Sequence, residues 1–249
     1  MATLTADKTY TINGVTVKDY LLTEHNPNSI SLPSKRMGTL AGVTIHNTDT
    51  IKVSGTTMSE QYTRATVNGN MDTVRVHYYV DGTEAWHNLP DTWQSWHAGQ
   101  KGKADANGSA VGNQQTISIE CIMGGTTGYE AAEDNAARLA AYLLQTNGLT
   151  IDNLYTHNYW CNVRNGKTGT VDELNLLNDG YKGCPVYIRP HWAEFKAKVQ
   201  EYMTALSAAS TAESQKYYVQ VGAFASKANA EAYLAKVKSD YPNAFIKVM

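Results

Sequence analysis

The chain has 249 residues, enough for one large domain with a small appendage. With 42% hydrophobic and 18% charged residues and a formal charge of −2, it reads as globular and gives no electrostatic reason to expect nucleic acid or an anionic membrane as partner. No stretch approaches the roughly 18 continuous apolar residues of a membrane-spanning helix, so no membrane insertion is expected.

In chain order, "MATLTADKTYTINGVTV" lacks a charged start followed by an apolar run, so no Sec-type signal is visible. Synthesis in the cytoplasm is therefore expected, with any outside destination reached by a non-standard exit. "YTINGVTV" signals a hairpin, with strand formers on either side of Asn13-Gly14, a pair suited to a type I′ turn. Loop-like sequence follows to Met37, and "LAGVTIHNT" then reads as a buried strand ending at His46. "TMSEQYTRATVNGN" reads as a helix stopped at Gly69. "TVRVHYYVDGTEAWHNL" gives two strands joined at Asp81-Gly82. After a Gly-rich loop, "QTISIECIM" alternates and then runs apolar, as a central strand does. "YEAAEDNAARLAAYLLQTNGL" is the clearest helix, with apolar positions three and four apart, acids early and Gly148 as its stop. "RPHWAEFKAKVQEYMTAL" is a second amphipathic helix, and "SAASTAESQK" (207–216) has the small, polar composition of a flexible linker. Residues 217–249 then read strand, helix, strand.

Two histidines stand at element ends: His46 closes "VTIH" and His157 follows "DNLYT". A lone histidine is more often a hydrogen-bonded structural residue. Three cysteines, Cys121, Cys161 and Cys184, cannot all pair, and that odd count argues against a disulfide framework. Cys184, in "YKGCP", is open to several readings: nucleophile, metal ligand or buried apolar side chain. Two imidazoles and a thiolate can fill three corners of a tetrahedral zinc site and leave the fourth for water. The spacing does not choose among these, because His46, His157 and Cys184 lie 111 and 27 residues apart. The 16 Tyr and 5 Trp would suit stacking on sugar rings, although core packing accounts for most of them.

The segments "GVTIHNT", "VHYYVDGTEAWHNLPDTWQSWHAG", "TISIECIMG", "AARLAAYLLQTNGL" with "IDNLYTHNYW", and "YKGCP" follow one another across 42–185. In that order they resemble the zinc-dependent N-acetylmuramoyl-L-alanine amidases shared by phage endolysins, bacterial autolysins and peptidoglycan-recognition proteins. The resemblance implies an α/β fold, a mixed central sheet flanked by helices with a substrate groove over the metal. It implies a zinc amidase domain over 1–206 that cleaves the amide between the lactyl group of N-acetylmuramic acid and L-alanine in bacterial peptidoglycan. By the same resemblance the Zn2+ ligands are His46, His157 and Cys184, and no organic cofactor is needed. Glu120, in "SIEC", takes the place of a general base that moves the water's proton to the leaving nitrogen. A strand carrying Ile117, Ile119, Cys121 and Ile122 is buried, and there an acid without a task would be costly. Lys182, two residues before the cysteine, would stabilise the oxyanion, with a solvated loop lysine as the bland reading. Trp96 and His97, in "WHAG", are expected to contact substrate; Trp86 and His77 line the groove by resemblance but read equally well as packing residues.

Two departures stand out. Some relatives place a catalytic tyrosine just before the histidine of the "VHYYV" strand, where this chain has Val76, which sets it with the glutamate-using branch. Between His157 and Cys184 lie 26 residues, against a few in short relatives. This polar, Gly-containing insertion reads as a surface loop beside the site, and it contains Cys161, a rival ligand. Two other functions compete: a binder that recognises peptidoglycan without cutting it, and a cysteine hydrolase with Cys184 as nucleophile and His157 as base. Binders of that kind typically lose the cysteine ligand. The missing Sec signal fits a lysin released through membrane lesions made by another protein, or an autolysin acting when a mother cell lyses.

"YYVQVGAFASKANAEAYLAKVKSDYPNAFIKVM" (217–249) resembles one half of a SPOR domain, a wall-binding module built from two βαβ halves. A unit this short rarely folds unaided, since its strands leave apolar surface and open edges. It would either pack on the amidase domain or pair with the same half of a second chain, giving a homodimer. The linker composition favours the second.

Overall fold

A computed structural model describes residues 4–48, 58–99, 109–123, 129–178, 183–214, 223–239 and 246. The chain divides into two compact units, Met1–Ala208 and Ala209–Met249.

In the first unit the described strands are β1 (Lys8–Ile12), β2 (Val15–Asp19), β3 (Gly42–Asn47), β4 (Tyr78–Val80), β5 (Ala85–His87), β6 (Thr116–Cys121) and β7 (Leu154–Thr156). They form one mixed sheet in the order β1-β2-β5-β4-β6-β3-β7. The expected hairpin joins β1 to β2, and both turn residues, Asn13 (φ 45°) and Gly14 (φ 84°), adopt the positive φ that a type I′ turn requires. The central and far strands, β4, β6, β3 and β7, run parallel to one another. Their carboxyl ends therefore open on one rim.

Helix α1 (Met58–Val67) follows β3, and α2 (Ser109–Gln115) precedes β6. Helix α3 (Tyr129–Thr146) stops where the sequence places its stop. Gly148 (φ 68°) donates to the Gln145 carbonyl and Leu149 to the Leu144 carbonyl, so the last turn closes on a residue free to adopt a left-handed conformation. Helices α4 (His157–Arg164) and α5 (Val171–Leu176) occupy the insertion, and α6 (Trp192–Ser214) is the last helix that begins in the first unit.

Strand alternation decides which side chains meet. Val43, Ile45, Ile117, Ile119, Cys121, Tyr78 and Val80 enter the main core, against the small and branched face of α3 and against Trp192, Phe195, Val199 and Met203 of α6. Thr44, His46, Thr116, Ser118 and Glu120 alternate with these residues and leave the sheet on its other face. His46 and Glu120 are register partners on β3 and β6, one residue from their strands' ends.

Three expectations change. The 158–183 insertion is not a surface loop over its described part: it forms α4 and α5, with Asn158, Cys161, Asn162 and Asn175 fully buried. The Gly-rich stretch before β6 contains α2. The stretch expected as a linker is helical over 207–214, because α6 continues to Ser214. In the second unit, α7 (Lys227–Val237) is capped by Ser226 and buries none of its side chains. The strands expected on either side of it lie almost wholly outside the described residues.

Candidate metal centre

Three elements deliver the three donors. His46 ends the run of β3 side chains on the sheet's polar face. His157 is the first residue of α4, directly after β7, where Thr156 caps the helix by accepting from the Tyr159 N–H. Thr156 is itself held by Asn175, whose Oδ1 accepts from the Thr156 N–H at 2.8 Å. Cys184 follows α5 in the chain, outside any helix or strand, and its carbonyl accepts from the Asn158 N–H at 2.9 Å. One residue of α4 thus enters the centre while the next clamps the backbone of the third donor.

The three are buried, at 3%, 3% and 4% exposure. One donor atom from each lies within 4.8 Å of the others. Cys184 Sγ is 3.6 Å from His46 Nδ1. Tetrahedral zinc, with its bonds to nitrogen and sulfur, sets such an N···S edge at about 3.5 Å. The rings of His46 and His157 meet edge to face, centroids 4.8 Å apart.

Hydrogen-bond polarity assigns the tautomers. A carbonyl oxygen only accepts, so the 2.9 Å bond from His157 Nε2 to Gly99 O puts a proton on Nε2, and in the neutral ring the lone pair is then on Nδ1. His97 Nε2 likewise donates to Gly112 O at 2.9 Å, which leaves His97 Nδ1 as an acceptor. Burial pushes the His97 imidazolium down to about 4, so the ring is neutral at pH 7. His46 Nε2, 2.8 Å from His97 Nδ1, is then the donor, and the His46 lone pair sits on Nδ1, the atom nearest the Cys184 sulfur. Two imidazoles whose neutral forms turn Nδ1 toward a common point, with a thiol, fit the zinc donor set.

The remaining sequence candidates divide. Glu120 is only partly buried and shares the face and register of His46. Lys182 lies outside the described residues. Trp96 is partly buried, its backbone bridged to Arg75 at 2.9 and 3.0 Å. His97, expected to touch substrate, is instead 6% exposed and bonded to His46. His77 is fully buried between Ser118 and the Trp93 carbonyl, and burial depresses its pKa to about 3. Trp86 is packed inside, its Nε1 donating to Glu84 at 2.6 Å. His77 and Trp86 are thus both buried and hydrogen-bonded within the fold. Cys161, the rival ligand, is fully buried one turn along α4 and does not belong to the group of three donors. None of the cysteines is disulfide-bonded.

Sequence reasoning passed over Asn113, whose Oδ1 accepts from both the His97 and Ala98 N–H groups, and Asn158 and Asn175, which brace the site from the insertion. A signal for the last was present: Thr170 and Glu173 form a capping box that starts α5.

Comparison with known proteins is consistent with this geometry. The family model described as N-acetylmuramoyl-L-alanine amidase matches residues 36–173, more than half of the chain, and a SPOR domain model matches 213–249. N-acetylmuramoyl-L-alanine amidase XlyA of Bacillus subtilis (strain 168) is 28% identical over 158 residues, covering 63% of this chain and 43% of the relative. A probable N-acetylmuramoyl-L-alanine amidase of Bacillus licheniformis is 26% identical over 201 residues, covering 75% of this chain and 50% of the relative. The chain spans about half the length of the curated relatives it matches. The solved catalytic domain of XlyA superposes with a TM-score of 0.51 at 24% identity, over 73% of this chain and 99% of that one, which shows a common fold.

Proposed function

Because the chain belongs to the N-acetylmuramoyl-L-alanine amidase family, we propose that it hydrolyses the amide between the lactyl group of N-acetylmuramic acid and L-alanine, with zinc held by His46, His157 and Cys184. The observation that carries the reading is the convergence of the three donors, with each imidazole's other nitrogen already committed elsewhere. Zinc bound there would supply Lewis acidity toward water and the scissile carbonyl.

The chain's own groups account for the rest. Glu120, on the face of His46, takes a proton from the attacking water and returns it to the leaving nitrogen. Lys182, two residues before Cys184, donates to the oxygen that gains charge during attack. Burial of the donors raises the strength of every charge interaction at the rim. Residues 213–249, matched by the SPOR model, anchor the enzyme on the wall. Pairing of two such halves from two chains is the assembly we infer, supported by the exposed Phe224, Tyr233 and Ile246 and by a helix α7 with no fully buried side chain.

Purified protein is assayed for zinc by elemental analysis, then for release of new L-alanine amino termini from peptidoglycan before and after EDTA treatment and zinc return. Stoichiometric zinc and zinc-restored release are expected. Wall binding without release would make it a binder, and activity that survives chelation but not thiol alkylation would make Cys184 a nucleophile.

A further inference from the structure

His97 is joined to a buried chain of hydrogen bonds whose two ends have fixed polarity. Trp160 Nε1, which can only donate, gives its proton to Thr44 Oγ1 at 2.9 Å, and Thr44 donates to Thr116 Oγ1 at 2.9 Å. Thr116 donates to the Gly112 carbonyl, which can only accept and also receives the His97 Nε2 proton. Thr44, Thr116, Trp160 and His97 are all at most 6% exposed, so water has little access to rearrange the chain.

The backbone is tightened around the same point. Asn113 Oδ1 holds two successive amides, those of His97 and Ala98. A Cβ on Gly112 would stand 2.8 Å from the Ala98 Cβ and 2.9 Å from the Trp160 ring, so the carbonyl that receives the His97 proton is placed by a packing contact only glycine permits. No freedom remains for His97 to rotate and present Nε2 to His46 without abandoning Gly112.

We propose that His97 is a positioning residue that acts through His46: its Nδ1 accepts the His46 Nε2 proton, which holds the His46 ring so that its Nδ1 lone pair faces His157 and Cys184. This rests on the zinc reading of those three residues. It assigns His97 a role other than the substrate contact expected from "WHAG". The partner of the ligand's outer nitrogen is here an imidazole rather than a carboxylate, and its Nδ1 is the atom turned to His46 because the Gly112 carbonyl takes the proton on its far side. The relay also ties His46 to Trp160, on the helix that begins with His157, so the two histidines share one scaffold.

The test uses full-length protein in two forms, metal-free and zinc-loaded, with His97→Ala and His97→Asn. The Asn amide oxygen stands at about the place of the imidazole Nδ1 and keeps the acceptor. In metal-free wild type, nitrogen-15 NMR should show His46 protonated on Nε2, with a slowly exchanging imidazole proton. That proton should be retained in His97→Asn and lost to fast exchange in His97→Ala. Zinc affinity, measured by chelator competition, should weaken about 10–100-fold in His97→Ala and recover largely in His97→Asn. A His46 found protonated on Nδ1 in the metal-free protein overturns the proposal whether or not zinc binds. So does wild-type zinc affinity in His97→Ala, or an Asn variant as weak as the Ala variant while equally folded by circular dichroism. A raised KM at unchanged zinc affinity would return His97 to the substrate. Wild type that holds the His46 proton as expected but takes up no zinc would refute the metal reading and leave the hydrogen-bond assignment standing.

Discussion

The half of the sheet away from the candidate metal centre is held by an ion cluster around the buried His87, whose protonation sets a measurable pH dependence. His87 on β5 lies 3.0 Å from Asp19 of β2 and 3.6 Å from Asp91, and it stacks on Tyr78 of β4 with centroids 4.3 Å apart and planes 6° apart. Tyr10 donates to Asp19 at 2.9 Å and Tyr78 to Asp91 at 3.0 Å, so four strands converge on the ring. Burial alone would depress the His87 pKa, but the two carboxylates outweigh it and raise the value from 6.5 to about 9. A histidine raised in the folded state contributes its full stabilisation below the unfolded pKa near 6.5 and loses it as pH climbs through about 9. A shift of this size corresponds to about 3 kcal/mol. The perturbation is His87→Gln, and the assay is urea unfolding of both proteins from pH 6 to pH 10. Wild type should exceed the variant most at pH 6, and the gap should shrink by about 3 kcal/mol toward pH 10, with other titrating groups cancelling in the comparison. Asp91→Asn should move the loss to lower pH by removing one of the two carboxylates. A gap that stays constant across the range refutes the argument, because His87 would then titrate alike in the folded and unfolded chain.

The other predictions concern the catalytic rim and the tail. Cys184→Ser should lose the bound zinc and Cys161→Ser should retain it, read by elemental analysis after dialysis; the reverse result would move the third donor onto α4. Glu120→Gln should keep zinc and fold while wall hydrolysis drops by about 10²–10⁴-fold, the usual loss for a missing general base. Near-normal turnover would remove Glu120 from proton transfer. Light scattering should find full-length protein as a dimer and a chain ending at Leu206 as a monomer that binds intact walls less well; a monomeric full-length chain ends the pairing idea.

Much of the fold was legible because its signals are local. Asn13-Gly14 sets one hairpin, Gly148 ends α3, and the apolar runs in "VTIH" and "TISIEC" mark β3 and β6 as buried strands. The insertion resisted reading because its amides are satisfied far along the chain. Asn158 donates to the carbonyls of Asn175 and Leu177, and Asn162 to those of Leu174 and Leu177, so residues that look solvated in sequence are fully buried. The same cause hid the buried setting of His97. Its motif marks it as important, but its partner Gly112 sits on a short helix in a stretch whose glycines suggest a loop.

The donor spacing of 111 and 27 residues carries no metal signature because the sheet, rather than the sequence interval, does the gathering. Parallel strands β3 and β7 are hydrogen-bonded neighbours, so the residue near the end of one and the residue just past the end of the other share a rim however long the connection. Cys184 has no strand to place it. It depends on the Asn158 N–H, and Asn158 in turn on carbonyls at the end of α5. An insertion able to bury three asparagines therefore does for the cysteine what strand polarity does for the histidines. It follows that loosening α5 should weaken zinc through Cys184 while leaving the His46–His97 bond intact.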